Sequence, residues 1–214
     1  MRALRHPLLW IVLLAALLRW QAGGALRSSD DLDYAQGARD FIQGRYKPDS
    51  FHQLRLGMIL PVGLGFLVFG VHPAVSILWP LAASLGSIAL LYLLAAKRST
   101  KSVAVLAALF LAVSTQHVIS GAELFPDAPL AFWVLLGLYF YWKEREAEGR
   151  TPGYVLAGLC FYAGLATRIE TLKLLPIFAA IEAWFVRRRG WDRNWARRTC
   201  VTCWCCARAA RMAC

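Results

Sequence analysis

Long apolar runs separated by short charged breaks dominate the chain, and their lengths predict helices that cross a bilayer. The run Leu8–Leu18 follows Arg2 and Arg5 and closes on Arg19-Trp20, a pair suited to a membrane interface. It reads as a first transmembrane helix. The same run would serve as a cleavable signal sequence, with Gly23-Gly24-Ala25 supplying the small residues. Residues 26–55 are the one long polar stretch before the tail, and within them Tyr34–Phe41 predicts a short surface helix ended by Gly44. From Leu56 to Ala96 the chain is almost wholly apolar, broken at Gly70-Val71-His72-Pro73. The part before the break, Leu56–Phe69, is short and carries Pro61, which suits an interfacial or re-entrant helix. The part after it, Ala74–Ala96, is long enough for a hydrocarbon core of roughly 30 Å. Four further runs follow: Val103–Ile119, Ala128–Trp142, Gly153–Ala166 and Leu172–Val186.

The charges between these runs set their direction. Lys97, Arg98 and Lys101, then Lys143–Arg150, then Arg187-Arg188-Arg189 fall at alternate breaks, which the positive-inside rule places in the cytoplasm. The other breaks hold isolated acids. The expectation is an all-α, polytopic membrane bundle of about six transmembrane helices, with short interfacial helices in the first external loop. The N-terminus is cytoplasmic and the acidic groups gather at the external face.

Composition agrees and separates the tail from the body. The 214 residues are 58% apolar and 17% charged, against roughly 45–50% and 25% in soluble domains. The formal charge of +11 suggests nucleic acid until it is divided. Residues 187–214 hold eight Arg and one Asp, net +7, so the preceding residues carry only +4. Five of the six Cys also lie between 200 and 214. Cys200-x-x-Cys203, with Cys205, Cys206 and Cys214, has poor zinc spacing, and a cytoplasmic place argues against disulfides. Residues 1–186 are thus expected to be the N-terminal part of a transmembrane domain. Residues 187–214 form a basic, Cys-rich tail that is not a folded domain and resembles out-of-frame translation, which would make the chain the front portion of a longer one.

Ionisable groups at a membrane boundary are candidate site residues by default. Asp30-Asp31-Leu32-Asp33-Tyr34 offers carboxylates for a general base, and Asp31-Leu32-Asp33 is an Asp-x-Asp, which invites a divalent metal. The plainer reading is a solvated acidic turn. Glu123 and Asp127 flank Pro126 before an apolar helix, where Asp127 would be the N-cap and Pro129 fits the first turn. His52 and Arg55 open an interfacial helix and could grip a lipid phosphate or simply meet headgroups. Arg168 would be a second phosphate-facing cation, and with Glu170 it makes a turn pair rather than a shared helix face. His117 reads as a packing residue and Cys160 as inert. Trp133, Tyr139, Tyr141 and Trp142 read as core and interfacial belt.

In their order, these segments resemble bacterial membrane glycosyltransferases of the GT-C class, the dolichyl-phosphate-mannose protein mannosyltransferase / aminoarabinose transferase superfamily. Asp30-Asp31-Leu32-Asp33-Tyr34-Ala35, Ala38-Arg39 and Gly44 are similar to the acidic loop after that family's first helix. Leu64–Phe69-Gly70, Trp79-Pro80-Leu81, Ser84-Leu85-Gly86 and Tyr92-Leu93-Leu94 continue the likeness, and Glu123 with Pro126-Asp127-Ala128-Pro129-Leu130 is similar to its second acidic motif. The resemblance implies a glycosyltransferase of the bacterial cytoplasmic (inner) membrane with its site facing the periplasm. It would move a sugar from a polyprenyl- or dolichyl-phosphate donor to a hydroxyl of a glycan, lipid or protein acceptor, with inversion. Asp30 is implied as the base with Asp31 in the neighbouring acidic position, a register uncertain by one, and Asp127 as a second acid. Asp33, Tyr34, His52, Arg55, Glu123 and Arg168 would bind substrate. No particular cofactor is implied with certainty and a divalent metal is open; if one is used, it would sit on Asp31, Asp33 and Asp127. In place of the family's basic residue before Pro-Pro-Leu, this chain reads His52-Gln53-Leu54-Arg55. The rival is a non-enzymatic polytopic membrane protein, a transporter or lipid-carrier-binding subunit, although no internal repeat supports it.

Overall fold

The computed structural model describes residues 7–23, 29–48, 51–146 and 151–189, and every regular element among them is helical. The tail's cysteines and most of its arginines, with the zinc and reading-frame questions attached to them, lie outside the described residues. The chain runs through α1 (Pro7–Ala22), α2 (Ser29–Ile42), α3 (Leu56–Phe69), α4 (Pro73–Ser76) and α5 (Leu78–Arg98). It continues through α6 (Lys101–Val113), α7 (Thr115–Ala122), α8 (Asp127–Glu146) and α9 (Thr151–Thr167), then a 3-10 turn (Ile169–Leu174) and α10 (Leu175–Arg189).

Element positions follow the apolar runs closely. The expected surface helix is longer than predicted, starting at Ser29, and Gly44 beyond its end takes the positive φ of 68° that a helix stop favours. α3 spans 14 residues, about 21 Å of helix, too short alone for a hydrocarbon core. Pro73 to Arg98 make one stretch of 26 residues, long and apolar enough to cross. The expected six spans are only partly visible: α6 with α7 reaches that standard only as a pair bent by 60°, and Pro7–Ala22, Leu56–Phe69 and Pro152–Thr167 are shorter apolar helices.

That bend corrects the expectation of one helix over Val103–Ile119. The chain leaves helical geometry at Ser114, whose ψ of 119° ends α6 and begins α7. A second correction concerns Arg19. Beside the exposed Trp20 it is not an interfacial residue but turns inward, with 1% of its surface exposed.

Among the described residues, three apolar cores hold the bundle. α1, α5 and α6 meet through Ile11, Ala15, Ile88, Ala108 and Ala112. Ala104, Ala108 and Ala112, four residues apart, give α6 a small-residue face that lets backbones approach. α2 lies on α3 through Tyr34, Ala38, Met58, Ile59, Val62 and Phe66, and Leu124 from beyond α7 completes that core. α8 and α9 pair through Tyr141, Tyr154, Ala157 and Phe161. Outward faces keep large apolar side chains exposed, among them Leu13, Leu17, Leu64, Leu67, Phe110 and Leu159, as lipid-facing helices do.

Candidate functional site: a charged rim at one end of the bundle

α2 presents two faces. Asp31, Tyr34 and Ala38 recur at helical spacing and are buried. Asp30 and Asp33, three apart, share a half-exposed face, and His52 lies across them. Its Nε2 is 3.3 Å from Asp30 Oδ2 and its Nδ1 is 3.5 Å from Asp33 Oδ2. The His52 ring also meets Tyr34 edge-on, with centroids 5.6 Å apart.

The Asp-x-Asp reading does not survive this placement. Because the motif falls within a helix, residues two apart point in different directions, and Asp31 is fully buried while Asp33 faces His52. Asp127 stands elsewhere on the rim. Asp31, Asp33 and Asp127 therefore do not converge, and no group of three His, Cys, Asp or Glu among the described residues could hold a metal ion.

Arg55 precedes α3 and donates a hydrogen bond to the Tyr34 hydroxyl. Its guanidinium lies 5.1 Å from the Phe51 ring centroid and 5.9 Å from that of Tyr34, so aromatic faces hold it without consuming its charge. Burial pushes the Tyr34 hydroxyl above its ordinary pKa, although the Arg55 charge, the Arg55 hydrogen bond and the Arg168 charge all oppose this.

Arg168 is reached through packing that the apolar pattern does not display. α3 crosses α9 at Gly57, where a Cβ would come within 2.7 Å of the Thr167 backbone nitrogen and 2.9 Å of its Cα. Only glycine permits that approach, and it brings Arg55, two residues before, to the same end as Arg168, one residue after Thr167. The α8–α9 hairpin returns Arg168 to the start of α8. There it pairs with Asp127, and its Nε donates to Glu170 Oε2 at 2.9 Å. Burial works against the Arg168 charge, but the two carboxylates outweigh it and raise its pKa. The Glu170 carboxyl is lowered, first by its own backbone N–H; burial opposes this, and the charge and hydrogen bond of Arg168 with the charge of Lys173 lower it further.

Two sequence expectations change here. Asp127 is not the N-cap: Leu130 N–H donates to the Pro126 carbonyl at 2.9 Å, so the cap is Pro126 and Asp127 begins the helix with its side chain on Arg168. Nor does Arg168 stand as an open cation, because two acids share it. Glu123 follows α7 half-buried, next to the Leu124 that packs under Tyr34. His117 is a buried packing residue, its Nε2 3.4 Å from the Ser84 carbonyl oxygen. An apolar recess of about 660 Å³ lined by Trp142, Ile177, Ala180 and Trp184 lies near the other end of α8, roughly 22 Å from Asp127 along the helix. It takes no part in the rim.

No curated protein and no solved structure matches the chain. The family model for dolichyl-phosphate-mannose-protein mannosyltransferases matches residues 60–211. The match takes in Glu123, Asp127 and Arg168, while Asp30, His52 and Arg55 precede it. Since it covers more than two thirds of the residues, the chain belongs to the dolichyl-phosphate-mannose-protein mannosyltransferase family, of the GT-C type.

Proposed function

We propose that this rim transfers a sugar from a polyprenyl- or dolichyl-phosphate donor to an acceptor hydroxyl at the external face of a bacterial cytoplasmic membrane, with about six helical crossings below it. Family membership implies the lipid-phosphate donor and the membrane setting. Asp30 removes the acceptor proton as the hydroxyl oxygen attacks the anomeric carbon. The bond from that carbon to the phosphate oxygen breaks, and the lipid phosphate leaves with the electron pair. Arg55, which no carboxylate neutralises among the described residues, meets the developing charge on the phosphate. His52 holds Asp30 and Asp33 in register. Arg168 orients Asp127 toward the acceptor instead of binding phosphate itself. No step is routed through a metal, because no group of acids among the described residues forms a metal cluster.

The observation that carries this reading is a carboxylate pair bridged by His52 beside an aromatic-held Arg55, at one end of an apolar bundle of this family. Membranes bearing the chain are incubated with a radiolabelled polyprenyl-phosphate sugar and candidate acceptors. Transfer by the wild type that disappears in Asp30→Asn supports the proposal. Absence of transfer by the wild type, or full transfer by an Asp30→Asn/Asp31→Asn double variant, overturns it.

A further inference from the structure

Below the rim lies a second polar group that transfer chemistry does not use. Arg19, near the end of α1, is buried as deeply as the apolar core around it, at 1% exposure. Its Nε donates to Ser84 Oγ on α5 at 2.7 Å, and its Nη1 donates to the carbonyls of Ala15 at 2.9 Å and Ala112 at 3.2 Å. Its Nη2 is buried with no hydrogen-bond partner among the described residues. None of these acceptors carries a charge. A guanidinium in an apolar interior is normally paired with an acid, so this arrangement needs a reason.

The Ala112 carbonyl supplies it. α6 stops at Val113, so the acceptors of its last turn lose the partners a continuing helix would provide. In a membrane interior no water replaces them. Arg19 delivers a donor and a positive charge to the end of the helix where the dipole is negative. The break and the buried cation compensate each other. The same cluster fixes α7: Gly121 lies so close that a Cβ there would sit 2.6 Å from Ser84 and 3.0 Å from Arg19 Nε. Three residues later, Leu124 packs in one core with Tyr34.

We infer that Arg19 is a positioning residue. By holding the 60° bend between α6 and α7, it sets where the Glu123–Asp127 segment stands against α2. The mechanical path runs from Arg19 through the Ala112 carbonyl and Gly121 to Leu124, and from there to Tyr34 and Arg55. Two rim halves, one on α2 and one on α8, are thereby kept at a fixed separation.

The test reads geometry first, so it does not depend on the glycosyl-transfer proposal. Spin-labelled non-canonical residues at the exposed Gln36 on α2 and Gln116 on α7 report their separation in the membrane-embedded full chain. The wild type and Arg19→Lys should give one narrow distance distribution. Arg19→Met should broaden or shift it, and Ser84→Ala, which removes one acceptor and almost no volume, should do so to a smaller degree. If Arg19→Met does not accumulate, Ser84→Ala against Arg19→Lys decides. Where transfer is measurable, Arg19→Met should lower kcat by roughly 10- to 100-fold and leave the donor KM within about twofold, with Arg19→Lys recovering much of the loss. An unchanged narrow distribution in Arg19→Met, or in Ser84→Ala if that variant decides, overturns the inference. A wild type with no transferase activity would sink the functional proposal but leave the distance test standing.

Discussion

Two arginines divide the molecule. Arg168 at the rim is about a third exposed and shared by two carboxylates. Arg19 in the bundle is almost wholly enclosed and held by one hydroxyl and two carbonyls. Near water an acid can neutralise a base at little desolvation cost, and the pair contributes little. Inside an apolar bundle, burying an acid as well would add a second desolvation penalty. Helix-end dipoles serve there instead. Charged networks therefore mark the rim proposed to meet substrate, and dipole-held charge marks the scaffold beneath it.

That division predicts opposite responses to small changes in the two regions. Asp30→Asn alters a half-exposed carboxylate and should lower transfer by about 10²- to 10⁴-fold if Asp30 is the base. Its thermal midpoint should stay within about 2 °C of the wild type, given the small worth of exposed pairs. Gly121→Ala should do the reverse in order of magnitude. One methyl group against Ser84 and Arg19 should cost about 1–3 kcal/mol of stability, read as a lower melting temperature in detergent. A stable Gly121→Ala beside an unstable Asp30→Asn would erase the contrast.

Gly57→Ala probes the seam between the regions. The obstacle there is Thr167 backbone, which cannot rotate away as a side chain can. α3 and α9 must separate, at a cost again of about 1–3 kcal/mol. Unlike Gly121→Ala, it should also weaken donor binding, because Arg55, the proposed phosphate-facing cation, lies two residues before the contact that must open. A rise in donor KM for Gly57→Ala but not for Gly121→Ala is the expected result.

How much of this was legible in the sequence follows the same line. Helix positions were, because the bilayer forces apolar residues into runs of helical length. The Asp30 and Asp33 face could have been read from spacing of three, and the Asp-x-Asp motif drew attention to the wrong pair. The bend at Ser114 was only half legible: Ser114-Thr115-Gln116-His117 interrupt the apolar run there, but the cation that makes the break tolerable comes from α1. Arg19 itself looked interfacial since its acceptors lie 65 and 93 residues away. Likewise the Arg168–Glu170 pair could be expected from proximity, whereas Asp127, 41 residues earlier, joins it only through the α8–α9 hairpin. Gly57 gave no signal in a helix already rich in glycine.

The smallest predicted effect is also the cleanest separation of the two arginines. Glu170 has a depressed carboxyl pKa, set first by its own backbone N–H and then by Arg168. A group whose pKa is lower in the folded state contributes stability at pH values above its unfolded value, about 4.3 for Glu. That contribution is lost as pH falls through the folded value. Comparing wild type with Glu170→Gln should therefore show a constant difference from pH 7 to about pH 5. It should be no more than a few tenths of a kcal/mol for so exposed a pair, and it should shrink below about pH 4. The Arg19 cluster holds no carboxylate among the described residues, and Arg19→Lys keeps the positive charge beside its titratable neighbour His117, so the difference between wild type and Arg19→Lys should stay level across that acid range. A difference for Arg19→Lys that collapsed with acid, in parallel with Glu170→Gln, would mean that a carboxylate compensates the buried arginine after all.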